Sequence, residues 1–391
     1  MTDPLPQLRA NWSYPTAIRF GVGRIVEIAE ACTAAGIARP LVVTDPGLAK
    51  LPMLADIVDR LKAGGLAAAV FSAIKPNPEG RNIEDGIAAY RAGGHDGVVA
   101  VGGGSALDAG KAIAFQAGQS RPIWDFEDIG DWWTRADASK IAPVVAVPTT
   151  AGTGSEVGRA AVVTDARTRT KKIIFHPKML PVVVISDPAL TTGLPATITA
   201  WTGMDALAHN LEAYCSPFHH PLGAGIAVEG MRLVKEWLPR AVADGSDLEA
   251  RAHMLAAASM GAVAFQKGLG AIHALSHPVG AIYDAHHGLT NAVFMPYVLA
   301  FNRAAVEDKL ARAGAYLGLK NPTGAGFLDW TLALREELKI PHTADALGVG
   351  VDKLDRLSAM AAQDPSCGGN PVPVDAAALK RLYERSLAGT V

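Results

Sequence analysis

The chain has 391 residues, of which 49% are hydrophobic and 19% are charged. This apolar fraction excludes an intrinsically disordered chain, and the length allows two or three domains with sizeable cores. The 36 lysines and arginines nearly balance the 38 aspartates and glutamates, so the net charge of −2 gives no reason to expect nucleic acid as a partner. The cysteines Cys32, Cys215 and Cys367 are odd in number and far apart, which excludes a disulfide framework and a zinc knuckle.

The sequence predicts a cytoplasmic protein without a membrane partner. Its first fifteen residues are polar and interrupted by proline, unlike a signal peptide. The longest apolar stretches, 181–185 and 254–265, are shorter than the roughly 18 residues that a membrane-spanning helix needs. The widely spaced cysteines suit a reducing compartment.

The first half of the chain alternates short apolar runs with helical periods. Runs of four to seven residues rich in valine, isoleucine and alanine, and bounded by turn residues, predict buried strands. These runs are 40–45, 67–71, 97–102, 142–148 and 182–186. Helical spacing of apolar residues occurs between them in 53–63, 83–92 and 106–116. This alternation predicts a mostly parallel sheet with helices on both faces.

In the second half, after about residue 188, the strand signals fade and apolar residues recur at helical spacing. The segments with this spacing are 200–214, 224–241, 248–265 and 326–338. Turn residues cluster in 186–195, where we expect a domain boundary. The sequence therefore predicts an α/β domain over residues 1–188 and an all-α domain over residues 189–391.

A strand-to-helix turn with three glycines predicts a phosphate site. The apolar run 97–102 leads into Gly102, Gly103 and Gly104, and Ser105 opens a helical segment. Glycines allow a ligand to approach the backbone closely, and the N–H groups at a helix start suit phosphate. The alternative is an ordinary strand-to-helix turn, because the segment lacks the GxGxxG pattern of the common dinucleotide fold.

A second loop, rich in hydroxyl groups, follows the run 142–148 and includes Thr149, Thr150 and Ser155. Alone it is consistent with a simple turn, but beside the glycine loop it predicts a second wall of one nucleotide site. Asp45 is the last residue of the predicted strand 40–45. A carboxylate there can accept a hydrogen bond from a ribose 2′-hydroxyl and repel a 2′-phosphate, which favours NAD over NADP; a capping or turn aspartate is the alternative.

The placement of histidines predicts a metal site in the second half. Asp205 and His209 are four residues apart, as are His273 and His277, so each pair shares one face of a helix. His287 follows on the next loop or helix. An aspartate with three imidazoles suits Fe(II) or Zn(II) better than Ca(II) or Mg(II).

In their order and spacing, these motifs resemble the iron-containing (group III) alcohol dehydrogenase family over nearly the whole chain. The likeness extends to the segments 20–23, 75–78, 268–288 and 370–373. It implies a dehydroquinate-synthase-like fold, in which an α/β nucleotide domain precedes a helical metal-binding domain. It also implies an NAD(H)-dependent alcohol dehydrogenase or aldehyde reductase that acts on a small alcohol or aldehyde and forms a homodimer or a higher homo-oligomer.

The resemblance implies a role for each matched residue. The metal ligands, for Fe(II) or alternatively Zn(II), are Asp205, His209, His273 and His287. His277 matches a histidine near the nicotinamide and the reacting oxygen, so it is the expected catalytic residue. The cofactor-binding positions are Asp45, Gly102, Gly103, Gly104, Ser105, Asp108, Thr149, Thr150, Ser155 and Lys171. The adjacent Lys172 leaves the register of Lys171 open.

The sequence departs from the common family pattern in two places. Phe265-Gln-Lys-Gly268 stands where many members carry Asn-Ala-Gly, and we expect this change to touch the substrate pocket. His286 is a second candidate for the fourth ligand, although the spacing of fourteen residues from His273 favours His287. The alternatives are a zinc-dependent polyol dehydrogenase, a keto-acid reductase, a dehydroquinate-synthase-like lyase and a non-catalytic nucleotide-binding protein.

Overall fold

The computed structural model describes residue 14 and residues 16–391, and it divides into two compact units. The first unit ends at Gly193 and the second begins at Leu194. The predicted boundary between residues 188 and 189 falls inside the short 3-10 helix Pro188–Thr191, which closes the first unit. The predicted fold class is confirmed, because the first unit is built on a parallel sheet and the second on α-helices.

The first unit contains a six-stranded sheet in which every strand pair is parallel. In chain order its strands are β1 (Ala17–Phe20), β2 (Pro40–Val43), β3 (Ala69–Phe71), β4 (Gly97–Gly102), β5 (Val144–Pro148) and, after a hairpin, β8 (Val183–Ser186). Their spatial order is β1-β8-β5-β4-β2-β3, so β4 and β5 are neighbours and end at the same edge. The hairpin of β6 (Ala160–Asp165) and β7 (Thr170–Phe175) forms a separate antiparallel pair.

Helices cover the sheet on both faces, as predicted. They are α1 (Ile28–Ala34), α2 (Pro52–Ala63), α3 (Gly80–Ala92) and α4 (Gly104–Gln116). Side chains of α1 and α2 pack with Val99 and Val145 in one apolar cluster. On α4, a Cβ placed at Gly110 would lie only 2.6 Å from the Cβ of Ala100, so α4 lies directly against β4.

The second unit is built from helices that pack around one central helix. Its helices are α5 (Ala196–Cys215), α6 (Pro221–Ala243), α7 (Leu248–Ala264), α8 (Ala271–Tyr283), α9 (His287–Tyr316), α10 (Gly324–Glu337), α11 (Leu354–Ala362) and α12 (Ala376–Ala388). Helix α5 packs against α6, α7 and α9 and is buried on nearly all sides. Polar side chains on α5 therefore lie in the core, where they need polar or charged partners.

Within the part of the chain that the structure describes, no single helix is long and apolar enough to cross a membrane. Two consecutive helical segments, Leu248–Lys267 and Ala271–Tyr283, are together long and apolar enough by length and composition alone. The chain bends by 107° between them.

Candidate metal centre and nucleotide loops

Four side chains from three helices converge inside the second unit. Asp205 and His209 lie one turn apart on α5, His273 lies on α8, and His287 is the first residue of α9. One donor atom from each residue lies within 4.8 Å of the other three. The carboxylate oxygen Oδ1 of Asp205 is 3.9 Å from Nε2 of His209 and 3.6 Å from Nε2 of His287. The structure thus brings together the four residues predicted as metal ligands.

This donor set fits a divalent transition metal. Asp205, His209 and His273 are 2%, 4% and 1% exposed, and burying a carboxylate costs free energy unless a cation or hydrogen-bond donors compensate its charge. Imidazole nitrogens bind zinc-type ions at about 2.1 Å, which places the ligands of a tetrahedral site about 3.4 Å apart. The spacing of 3.6–3.9 Å between Asp205 and two of the histidines is close to that value.

The structure also separates the two adjacent histidines. The ring of His286 packs on Trp201, with the ring centroids 5.0 Å apart, whereas the ring of His287 lies 5.3 Å from that of His273. Gly288 makes this arrangement possible, because a Cβ at this position would lie 2.3 Å from the carbonyl oxygen of Trp201. The fourth position of the cluster is therefore filled by His287.

Glu212 is a buried site residue that the sequence analysis did not include. It lies on α5, one turn after His209, and its Oε2 accepts a hydrogen bond of 2.6 Å from Nδ1 of His273. Its Oε1 accepts a bond of 2.7 Å from the backbone N–H of Ile272 at the start of α8. Because Nδ1 of His273 carries the donated proton, its Nε2 faces the cluster with a free lone pair. Burial opposes a charge on His273, but the Glu212 carboxylate outweighs it and raises the pKa of this imidazole.

His277, the predicted catalytic residue, has a carboxylate partner of its own. It lies one turn after His273 on α8, and its Nδ1 is 2.7 Å from Oδ2 of Asp364. Burial raises the pKa of Asp364. The facing His277 and hydrogen bonds from Ser366 lower this pKa by more than burial raises it, to about 2. The ionised carboxylate orients the ring by accepting from Nδ1, so Nε2 of His277 is the nitrogen available for a reacting group.

The segment Phe265–Gly268, expected to touch the substrate pocket, has a structural role at Lys267. The Lys267 ammonium is buried and donates to three carbonyl oxygens at the end of α5, those of Ala213, Tyr214 and Ser216. A cation at a helix C-terminus is favourable because it faces the unpaired carbonyls. Burial lowers the pKa of Lys267 to about 8. The Phe265 ring lies 5.2 Å from the ring of His209, so this segment supports α5 at two points.

In the first unit, the glycine loop packs against the hydroxyl-rich loop. Gly102 has φ +147°, a value that side-chain-bearing residues rarely adopt. A Cβ at Gly103 would lie 3.2 Å from the side chain of Thr150, and one at Gly104 would lie 2.6 Å from that of Thr153. The backbone N–H of Thr149 donates to the carbonyl of Gly102 at 3.0 Å. The contact between the loops therefore favours glycine at these positions, whatever ligand the loops bind.

Asp108 and Ser155 join these two loops. The Ser155 hydroxyl donates to Oδ1 of Asp108, and the backbone N–H of Val162 donates to its Oδ2 at 2.9 Å. The buried ammonium of Lys111 is 3.2 Å from Oδ1. Asp108 therefore connects α4, the hydroxyl-rich loop and β6, so its oxygens are engaged within the protein.

One carboxylate oxygen of Asp45 stabilises the turn that follows β2. Its Oδ1 accepts hydrogen bonds from the backbone N–H groups of Gly47 and Leu48, at 2.8 and 3.0 Å. Its Oδ2 lies toward the glycine loop, since a Cβ at Gly102 would be 3.8 Å from it. The capping role and the predicted ribose contact are therefore compatible, because they use different oxygens.

The remaining predicted cofactor residues are placed at the ends of two elements. Ser105 is the second residue of α4, in the turn where helix N–H groups are unpaired. Lys172 lies 2.6 Å from Oε2 of Glu127, and side chains alternate along a strand, so Lys171 lies on the other face of β7.

Comparison with known proteins identifies the family. Residues 15–188 match the family model of the iron-containing alcohol dehydrogenases. Residues 199–387 match the model of the C-terminal part of the Fe-containing alcohol dehydrogenase family. The chain is 39% identical over 386 residues to 4-hydroxybutyrate dehydrogenase of Cupriavidus necator, covering 96% of this chain and 99% of that protein. It is 37% identical over 373 residues to 1,3-propanediol dehydrogenase of Klebsiella pneumoniae, covering 92% and 94%.

Solved structures agree with this result. The crystal structure of a 1,3-propanediol oxidoreductase has a TM-score of 0.92 and 33% identity, and the match covers 97% of this chain and 100% of that one. A sulfoacetaldehyde reductase of Bifidobacterium kashiwanohense, solved with NAD+, has a TM-score of 0.86 and 30% identity, covering 97% and 99%. The chain belongs to the iron-containing alcohol dehydrogenase family and is an oxidoreductase of the alcohol dehydrogenase type.

Proposed function

We propose that the protein transfers hydride between NAD(H) and a small alcohol or aldehyde, with a divalent ion held by four side chains. These are Asp205, His209, His273 and His287. The observation that carries the proposal is the convergence of these donors in the buried core of a family member. Iron is the ion that the family name indicates, and the same donor set suits zinc.

The ion, when bound, supplies a Lewis acid that lowers the pKa of an alcohol and polarises an aldehyde. Asp205 contributes the one negative charge among the four candidate ligands, so this set would leave a bound divalent ion with a net positive charge. Glu212 holds His273 in the tautomer that directs Nε2 inward. The ligand geometry is thus set by the protein before substrate arrives.

His277 is the residue proposed to move the proton. Its Nδ1 is held by Asp364, so its Nε2 can take a proton from the alcohol and release it to solvent. The ionised Asp364 stabilises the imidazolium that forms during this transfer. Replacing His277 with Ala should leave the bound metal in place and lower kcat, whereas His273→Ala should lose both.

NAD is the proposed coenzyme of the first unit. Glycine-loop N–H groups and the hydroxyls of Thr150 and Ser105 are suitable donors for a pyrophosphate. Oδ2 of Asp45 is suitable as the acceptor for a ribose hydroxyl and would repel a 2′-phosphate. Asp45→Ala should therefore raise kcat/KM for NADPH relative to NADH. An unchanged ratio would count against this role of Asp45.

We propose as substrates straight-chain primary alcohols of three or four carbons that carry a second oxygen group at the far end. This proposal is supported by the names of two relatives, which refer to 4-hydroxybutyrate and 1,3-propanediol. The test is kcat/KM with NAD+ on 4-hydroxybutyrate and 1,3-propanediol, each compared with 1-butanol and 1-propanol. The proposal predicts a preference for the compounds with two oxygen functions, and a preference for the plain alcohols would contradict it.

A homodimer is the proposed assembly. Among the residues that the structure describes, β1 is an edge strand of the sheet, and its Phe20 is 42% exposed. Val22 and Val26, which follow it, are also exposed. Exposed edge strands with apolar side chains favour pairing with another chain. Light scattering should give a dimer mass, and Phe20→Lys should shift the protein toward monomer.

A further inference from the structure

A neutral side chain lies among the metal-binding candidates without being one of them. Asn291 is fully buried on α9, one turn after His287. Its amide nitrogen Nδ2 lies 2.7 Å from Oδ1 of Asp205 and 3.2 Å from Nε2 of both His273 and His287. The amide therefore contacts three of the four candidate ligands, and it contacts each at an atom that faces the cluster.

We propose that Asn291 is a positioning residue of the metal centre, which holds Asp205 by a hydrogen bond and covers the face of the ligand set formed by Asp205, His273 and His287. This proposal rests on the metal-dependent function proposed above. Asn291 is not assigned as a ligand. Its proposed effect on metal binding is indirect: it orients the Asp205 carboxylate and covers one face of the ligand set.

The chemistry of the three contacts selects the bond to the carboxylate. An imidazole Nε2 has one lone pair, so a histidine that binds an ion cannot also accept from Asn291. A carboxylate oxygen has two lone pairs and can bind an ion and accept a hydrogen bond together. The donation to Oδ1 of Asp205 is thus compatible with a bound ion, and it fixes the rotation of the carboxylate.

The orientation of the amide supports the same conclusion. Reversing it would place the oxygen of Asn291 against Oδ1 of Asp205, and two acceptors repel each other, so the hydrogen bonds select the nitrogen. Oδ1 of Asn291 is buried and has no hydrogen-bond partner among the described residues, which costs stability. A neutral donor is also the suitable group here, because a lysine would repel a cation and an aspartate would add a second negative charge.

Asn210 offers a matched control. It is also fully buried, and its Oδ1 also lacks a hydrogen-bond partner among the residues described. Its Nδ2, however, donates to the main-chain carbonyls of Ala206 and Ala257, at 2.8 and 3.0 Å, and to none of the four ligands. Asn210→Ala therefore removes the same chemical group from the same unit without removing a contact to the cluster.

The first experiment measures Zn(II) affinity by competition with a chromogenic chelator, on full-length protein stripped of metal. Asn291→Ala should bind Zn(II) about 10- to 100-fold more weakly than wild type. Asn210→Ala should stay within about threefold, even if both variants lower Tm. The proposal is overturned if Asn291→Ala stays within threefold, or if both variants weaken binding equally. His273→Ala tests the function itself: if it binds Zn(II) like wild type, the metal site is wrong, whatever Asn291 does.

The visible absorption of the Co(II)-substituted protein tests whether Asn291 covers one face of the ligand set. Asn291→Ala opens space beside the ion, so the visible absorption of the Co(II) protein should weaken as water raises the coordination number, and an unchanged spectrum would overturn the covering role. If the Ala variant does not fold, Asn291→Asp replaces it. Because Asn291→Asp places a second carboxylate against Asp205, Zn(II) should raise its Tm more than it raises that of wild type. An equal rise would overturn the proposal.

Discussion

Gly288 gives a quantitative test of how the fold builds the metal centre. It follows His287 at the start of α9, and a Cβ added there would lie 2.3 Å from the carbonyl oxygen of Trp201 and 3.2 Å from the Cβ of Asp205. The backbone conformation of Gly288 is helical, so Gly288→Ala introduces no strain in φ and ψ. The whole effect of the substitution comes from this contact between α9 and α5.

The size of the displacement follows from the distance. A carbon and an oxygen that do not bond need about 3.4 Å, so the start of α9 must move by about 1 Å. Metal–ligand distances tolerate about 0.2 Å, and a misplacement of 1 Å at a reacting centre costs about 100-fold. We expect Gly288→Ala to lower Zn(II) affinity or kcat by about two orders of magnitude. Overpacking should also lower the free energy of unfolding by about 1–3 kcal/mol.

Gly225→Ala is the control for this prediction. Gly225 lies on the exposed side of α6, and no atom lies within 4 Å of its added Cβ. There the substitution should be neutral or raise the free energy of unfolding by up to about 1 kcal/mol. Metal content, kcat and thermal unfolding are measured on both variants. A Gly288→Ala variant with wild-type zinc affinity and kcat would refute the argument that this contact positions His287.

Three further predictions test the candidate site. Glu212→Gln keeps the shape of the side chain but removes the charge that faces His273, so Zn(II) affinity should fall about 10- to 100-fold in chelator competition; unchanged affinity would contradict its role. His287→Ala should lose the metal and His286→Ala should retain it, and metal analysis showing the reverse would reassign the fourth ligand. The pKa of Asp364 is about 2 when folded, below its ordinary 3.8, so its stabilising effect is present above pH 4 and is lost as the pH falls toward 2. At about 1.36 kcal/mol per pKa unit this effect is up to about 2 kcal/mol. Urea unfolding of wild type and Asp364→Asn should converge over that range, and a constant difference would contradict the linkage.

The fold was predictable where the core determines the pattern. Strands β4 and β5 are buried along their whole length, so their valine runs were visible in the sequence. Strand β1 was missed because Arg19 interrupts it, and a four-residue segment with three exposed positions shows no apolar run. The hairpin of β6 and β7 was missed for a related reason, since β7 is only partly buried and carries two adjacent lysines.

The members of the candidate metal centre were predictable where they follow helical spacing. Asp205 and His209 were found in this way, and Glu212 continues the same face of α5, so this signal was present for it as well. Asn291 stands four residues after His287 and could have been found likewise. Asp364 could not, because it lies 87 residues from His277 and only the tertiary fold joins them.

The sequence also left the purpose of the glycines open. The triple glycine was interpreted as a phosphate loop, and the structure adds a second reason for it. Thr150 and Thr153 occupy the space that side chains at Gly103 and Gly104 would need. A packing requirement and a ligand requirement give the same residue type, so sequence alone cannot separate them.

Anaerobic oxidation of NADH by a panel of short aldehydes tests whether hydride transfer depends on the candidate metal centre. Metal-stripped protein is reconstituted with Fe(II), with Zn(II) or with no metal, and His273→Ala is treated in parallel. Turnover is expected only in the wild-type samples that contain metal. Turnover without metal, or equal turnover by His273→Ala, would contradict the proposal that the four converging side chains hold the ion that makes hydride transfer possible.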